Sequence, residues 1–120
     1  MKIVIADDDE LIIEMLSDYL TSAGHEVATA SDAPSLIGLV QQEAPGLILM
    51  DINMPGIREG GMSQKVKLPS ELRGQNIVAI TGNEKEKVYQ MGLPQDIEVL
   101  KKPVDFAELD GIIARLSGGN

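Results

Sequence analysis

Five short apolar runs, each followed by a stretch with a different period, constrain this chain more than any other feature. They are Ile3-Val4-Ile5-Ala6, Val27-Ala28-Thr29-Ala30, Leu47-Ile48-Leu49-Met50, Ile77-Val78-Ala79-Ile80 and, more weakly, Ile97-Glu98-Val99-Leu100. A continuous apolar run bounded by polar residues is the pattern of a strand buried on both faces, as in a parallel sheet covered by helices. Between the runs the apolar residues step by three and four. Ile12, Met15, Leu16, Tyr19, Leu20 and Ala23 mark one helix face, with Gly24 where a C-cap belongs. Ser31-Asp32-Ala33-Pro34 opens a second helix with Leu36, Ile37, Val40 and Ala44 on its apolar face. Glu84 to Met91 reads as a short polar helix. A last helix begins near Asp105, with Glu108 at capping-box spacing and an apolar stripe of Phe106, Leu109, Ile112, Ile113 and Leu116.

The stretch from Pro55 to Gly74 breaks this regularity. Gly56, Gly60, Gly61, Pro69 and Gly74 leave room only for a short, weakly stabilised helix between Gly61 and Leu68. The pattern predicts an α/β fold in one domain, residues 1–120: a doubly wound, five-stranded parallel sheet in the flavodoxin-like order 2-1-3-4-5. Five helices accompany it, the third short or irregular.

Composition narrows the function. A net charge of −9, from 10 basic and 19 acidic residues, argues against direct contact with nucleic acid and fits a cation or a basic partner. With no cysteine, disulfides, thiolate metal sites and cysteine nucleophiles are excluded. His25 is the one histidine, which rules out a His-rich zinc site. No apolar run approaches the roughly 20 residues of a membrane span, and the start is too short for a signal-peptide core, so no membrane contact and a cytoplasmic location are expected.

In a doubly wound sheet, ligands bind beyond the carboxyl ends of the strands, at the switch point between the first and third. Four groups fall at those ends here: Asp7-Asp8-Asp9, Asp51 followed by Asn53, Thr81 followed by Asn83, and Lys101-Lys102-Pro103. Carboxylates brought together repel, by about 4 kcal/mol for two charges about 4 Å apart at an effective dielectric near 20. They must stay partly protonated or bind a cation. The available ligands are oxygens, which suits Mg²⁺ and disfavours zinc and copper. A metal beside a free carboxylate, a hydroxyl and a lysine suits phosphoryl transfer. Metal and lysine neutralise the equatorial oxygens, the hydroxyl donates to one of them, and a carboxylate attacks in line.

From Lys2 to about Leu116 the chain resembles the receiver domains of two-component response regulators. The resemblance is carried by Asp7-Asp8, by Asp51 in Leu-Ile-Leu-Met-Asp-Ile-Asn-Met-Pro-Gly, by Thr81 in Ala-Ile-Thr-Gly, and by Lys102 in Lys-Lys-Pro. It implies that Asp51 is the phosphoacceptor, taking its phosphoryl group from a histidine kinase or histidine phosphotransfer protein. It implies that Asp8 and Asp51 hold Mg²⁺ directly, with the Asn53 backbone carbonyl, while Asp7 acts mostly through water. Thr81 would bond a phosphoryl oxygen and carry the switch. Lys102 would pair with the phosphoryl group and the acids, aimed inward by a cis bond to Pro103. Asn53 and Asn83 match positions that influence phosphoryl lifetime. A downstream protein target is implied, and weak pairing through the face of the fourth and fifth helices. Such a domain assists its own phosphorylation and dephosphorylation without being an enzyme.

Two departures from the family qualify this. The usual aromatic residue on strand five is Val99, which has no ring to swing, so activation is expected to run through Thr81 and the loop after it. After Met54-Pro55-Gly56 the usual Asp-Gly pair is replaced by Ile57-Arg58-Glu59-Gly60-Gly61, which predicts a shortened or displaced third helix and a mobile loop from Ile57 to Ser70.

Bland readings stand beside the sharp ones. Asp9 and Glu10 read as exposed first-turn acids, Lys101 as solvent-facing, His25 as exposed in a turn, and Met50, Met54 and Met62 as packing. Lys65, Lys67 and Arg73 read as a solvated loop face. Two rival functions remain: a receiver fold kept only as a phosphorylation-independent interaction module, and a phosphotransferase or hydrolase with an aspartyl nucleophile. The latter is disfavoured because Asn53 stands where a second acid would serve as general acid-base.

Overall fold

A computed structural model describes residues 1–58 and 65–118 of the chain. Its strands are β1 (Lys2–Ala6), β2 (Glu26–Ala30), β3 (Leu47–Asp51), β4 (Ile77–Thr81) and β5 (Glu98–Lys101). Its helices are α1 (Glu10–Ser22), α2 (Ala33–Glu43), α3 (Lys85–Gln90) and α4 (Phe106–Leu116). The strands form one parallel sheet in the order β2-β1-β3-β4-β5, as the pattern predicts.

Alternation along each strand divides the core into two layers. Val4, Ala6, Ile48, Met50, Ala79 and Val99 face one way and pack with Leu36 and Val40 of α2 and Val88 of α3. Ile3, Ile5, Leu47, Leu49, Val78, Ile80 and Leu100 face the other way, against Leu16 and Leu20 of α1 and Leu109, Ile112 and Ile113 of α4. Because both faces are covered, the strands read as continuous apolar runs. Aspartates start three of the helices by accepting from otherwise unsatisfied amides. Asp9 accepts from Leu11 N, Asp32 from Ser35 N, and Asp105 from Ala107 N and Glu108 N.

The expectation of five helices needs one correction. Among the described residues there are four α-helices, and the β3–β4 connection contributes only a 3₁₀ turn, Ser70–Leu72. Pro69 has no amide hydrogen and keeps Leu68 out of helical conformation, and Gly74, at φ 82°, turns the chain away just beyond. Residues 65–68 are not helical. The rest of the expected Gly61–Leu68 helix, with Met62, lies outside the described residues.

The flanks of this connection are anchored, unlike the loose segment anticipated from Ile57 to Ser70. Ile57 is fully buried, Val66 N donates to Met91 O at 2.7 Å, and Lys67 N donates to Ile57 O at 2.7 Å. In hydrogen exchange the amides of Val66 and Lys67 are therefore expected to be protected well above those of Leu68 and Ser70. Equal, fast exchange of all four would contradict this anchoring.

Gly56 fastens the start of the same connection. Its φ is 91°, and a Cβ there would lie 2.5 Å from Ala33 Cβ. Only glycine permits that turn and that approach together. The contact is closed by Ala33 N donating to Pro55 O at 2.9 Å, which ties the loop after β3 to the first turn of α2.

Candidate functional site

The carboxyl ends of β1 and β3 lie side by side, because Ala6 is in register with Met50. This puts Asp7 and Asp51 at the switch point of the sheet. Both are buried, Asp7 completely, and so is Thr81 at the end of β4. Asp8 is exposed at the rim. Each of Asp7, Asp8 and Asp51 can offer an oxygen within 4.8 Å of the other two, so the pocket could hold a metal ion.

Local backbone geometry fixes the acids. Asp7 Oδ1 accepts from Asp9 N at 2.9 Å, and Asp51 Oδ1 accepts from Asn53 N at 3.0 Å. In each case the chain folds over the carboxylate two residues later, as short polar side chains favour at turns. Thr81 repeats the pattern, its Oγ1 accepting from Asn83 N at 3.0 Å. That bond uses an acceptor site and leaves the hydroxyl proton to donate elsewhere.

Lys102 completes the group from the β5 side. Its backbone N–H donates to Thr81 O at 2.7 Å, and the Lys102–Pro103 peptide is cis. Its ammonium lies 3.0 Å from Asp7 Oδ2 and 3.6 Å from Asp51 Oδ2. The nearer contact is an ion pair without hydrogen-bond alignment, so Asp7 Oδ2 is buried with no aligned hydrogen-bond donor. Neighbouring Lys101 points outward and pairs with Glu84, in line with its solvent-facing reading.

Electrostatics follow from burial. Burial pushes Asp51 up to about 6, against the Asn53 amide, which favours the charged form; the Asp7 charge adds to the rise and Lys102 opposes it. Burial disfavours the Lys102 ammonium, but Asp7 and Asp51 outweigh it and hold the lysine above its ordinary range. The result is a crowded anionic pocket with one cation, able to accept more positive charge.

The structure thus brings together Asp7, Asp8, Asp51, Thr81 and Lys102, with Asn53 and Asn83 at the lip. Val99 stands apart, 1% exposed within the sheet's α2/α3 layer. Arg58 was not among the sequence-derived site residues, yet its guanidinium donates to Asn53 Oδ1 at 2.6 Å. Its position just after the Met-Pro-Gly turn was the available signal.

Residues 3–114 match the family model of the response regulator receiver domain, and the chain belongs to that family. Among curated proteins it is 33% identical, over 93% of its length, to the probable transcriptional regulator ycf27 of Galdieria sulphuraria, of which it covers 43%. It is 30% identical, over 87% of its length, to the response regulator PleD of Caulobacter vibrioides, of which it covers 23%. The chain therefore spans less than half the length of these relatives. Among solved structures, the chemotaxis protein CheY4 of Vibrio cholerae superposes with a TM-score of 0.75 at 27% identity, covering 96% of this chain and 97% of that one. The receiver domain of a sensor histidine kinase from Pseudomonas aeruginosa PAO1, solved with magnesium in its active-site cleft, shares the fold at 24% identity and a TM-score of 0.73, with 98% and 97% covered.

Proposed function

We propose that this receiver is a Mg²⁺-dependent phosphoacceptor that takes a phosphoryl group onto Asp51 from a histidine kinase or histidine phosphotransfer protein. The observation that carries the reading is the buried pair Asp7 and Asp51 around one ammonium, with Asp8 completing an oxygen-only cluster. Asp51 supplies the nucleophilic carboxylate. Lys102 sits where it can neutralise an incoming phosphoryl oxygen, and the Thr81 hydroxyl has a proton to donate to another. Asp7, Asp8, Asp51 and the Asn53 carbonyl would hold the cation, whose chemistry is to offset charge on the transferring group. A kinase receiver of the same fold is solved with magnesium in its active-site cleft, which supports a cation in this pocket.

In this reading the protein is a signalling domain that assists its own phosphorylation and dephosphorylation, and not an enzyme acting on a separate substrate. It works in the cytoplasm on a downstream protein target, without nucleic-acid or membrane contact and with at most weak self-pairing through the outer helices. Among the described residues no helix is long and apolar enough to cross a membrane.

The test is intact mass after incubation with acetyl phosphate or phosphoramidate, with and without Mg²⁺. A phosphoryl adduct is expected only with Mg²⁺ and only in protein that retains Asp51, so Asp51→Asn should show none. Absence of an adduct under every condition would favour the phosphorylation-independent interaction module.

Val99 favours a signal carried without the usual ring. Val99→Tyr inserts an aromatic side chain into a layer shared with Ala79 and Val88, and is expected to cost about 1–3 kcal/mol in urea unfolding. No loss of stability would mean that the layer has room for a ring and that the valine is not a packing requirement.

A further inference from the structure

The cations of this chain are unevenly engaged. Lys2 is held between Glu26 and Glu43, Lys101 by Glu84, Lys102 by Asp7 and Asp51, and Arg115 by Glu98. Lys65 and Lys87 form no ion pair among the described residues. Together with Arg58 they line one cleft of about 540 Å³, whose remaining wall includes Asn53 and Asn83. Those asparagines stand two residues beyond Asp51 and Thr81, and their amides hold the Asp51 carboxylate and the Thr81 hydroxyl. The cleft therefore opens at the mouth of the acceptor site. Arg58 stiffens the shared wall through its bond to Asn53 Oδ1. None of the described side chains lining the cleft is acidic, in a chain of net charge −9. A concave surface of one sign concentrates its field, here against the trend of the whole molecule.

We infer that this cleft is a leaving-group subsite that favours phosphodonors whose leaving group departs as an anion, the acyl phosphates. The inference rests on the phosphoacceptor reading above. An Asp51 carboxylate oxygen bonds to phosphorus as the bond between phosphorus and the acyl oxygen breaks. The electron pair stays on the departing carboxylate, and no proton moves. Negative charge on the acyl oxygen grows in the transition state, so cations facing it lower the barrier more than they stabilise the bound donor. With phosphoramidate the phosphorus–nitrogen bond breaks and ammonia leaves from a protonated nitrogen. The same cations then have no developing anion to stabilise.

The test compares the rates of Asp51 modification by acetyl phosphate and by phosphoramidate, both with Mg²⁺, in the 120-residue chain. Lys65→Glu/Lys87→Glu is expected to lower the ratio of acetyl phosphate rate to phosphoramidate rate by about tenfold. The control Lys67→Glu/Lys85→Glu changes net charge equally at positions that do not line the cleft, and should leave that ratio near the wild-type value. A ratio unchanged in the cleft variant, or lowered equally in the control, overturns the subsite while the phosphoacceptor reading stands. Failure of both donors to modify the wild-type chain overturns both.

Discussion

Asp51→Asn is expected to raise the thermal midpoint of the metal-free protein at about pH 7.5 by roughly 5–10 °C, on the order of 2 kcal/mol. Burial lifts the Asp51 carboxyl from its ordinary 3.8 to about 6 in the folded chain. Between those values the folded state binds a proton that the unfolded state has released. Stability associated with Asp51 is therefore full below pH 3.8, falls as pH rises through about 6, and is absent at neutral pH. Asparagine keeps an oxygen for the Asn53 amide and carries no charge, so it removes the penalty and preserves the turn. The gain of the variant over wild type should shrink towards zero near pH 4, where both side chains are neutral. If Mg²⁺ occupies the proposed site, adding it should stabilise wild type more than the variant, because a ligand of the ionised folded site favours the folded state. A variant no more stable than wild type in EDTA at neutral pH, or a gain independent of pH, would mean that Asp51 is not strained by its own ionisation.

That strain was legible in the sequence before any geometry. Aspartates directly after two buried runs, at the one place where a doubly wound sheet opens its strand ends, must converge. Lys102 and Thr81 could be placed by the same logic, since each follows a run that the sheet order makes a neighbour. The four regular helices were legible because α1, α2 and α4 bury continuous stripes, and Glu84–Met91 is bounded by the β4 and β5 runs.

The β3–β4 connection could be read only in part: its irregularity was expected, the path of its described flanks was not. Those flanks are held by tertiary contacts with little local signal: Val66 bonds to Met91 and Lys67 to Ile57, pairings that no periodicity encodes. The cationic cleft escaped for the same reason. Lys65 reads as part of a solvated basic loop, and Lys87 as one residue of a short polar helix, because nothing in their spacing shows that both line one cleft beside Asn53. Burial of a strand residue is a property of sequence pattern, whereas the meeting of two surface cations is a property of the assembled fold.

Lys102→Met should produce the opposite stability effect to Asp51→Asn, together with a large loss of phosphorylation rate. The ammonium is the cation between two buried carboxylates, 3.0 Å from one and 3.6 Å from the other. Removing one partner of a buried pair costs about 3–5 kcal/mol when the remaining charge is fully enclosed. The lysine side chain is 23% exposed, so water reaches part of the site and a loss of about 2 kcal/mol in EDTA is expected. Because Asp7 and Asp51 hold the lysine above its ordinary range, it stays charged at neutral pH, and its stabilising share is lost only as pH rises through that elevated value. Asp7→Asn in the same chain removes the buried charge left without its partner. Lys102→Met/Asp7→Asn should therefore be more stable than Lys102→Met alone, a coupling that a plain packing defect would not show. Phosphorylation of Asp51 by acetyl phosphate should fall about a hundredfold in Lys102→Met, the scale for losing one preorganised group at a developing charge. The double variant should not recover that rate, since restoring neutrality to the pocket does not restore a cation to the phosphoryl oxygen. Recovery of the rate along with stability would show that Lys102 acts only by holding the fold together, and its place in the transfer chemistry would have to be given up.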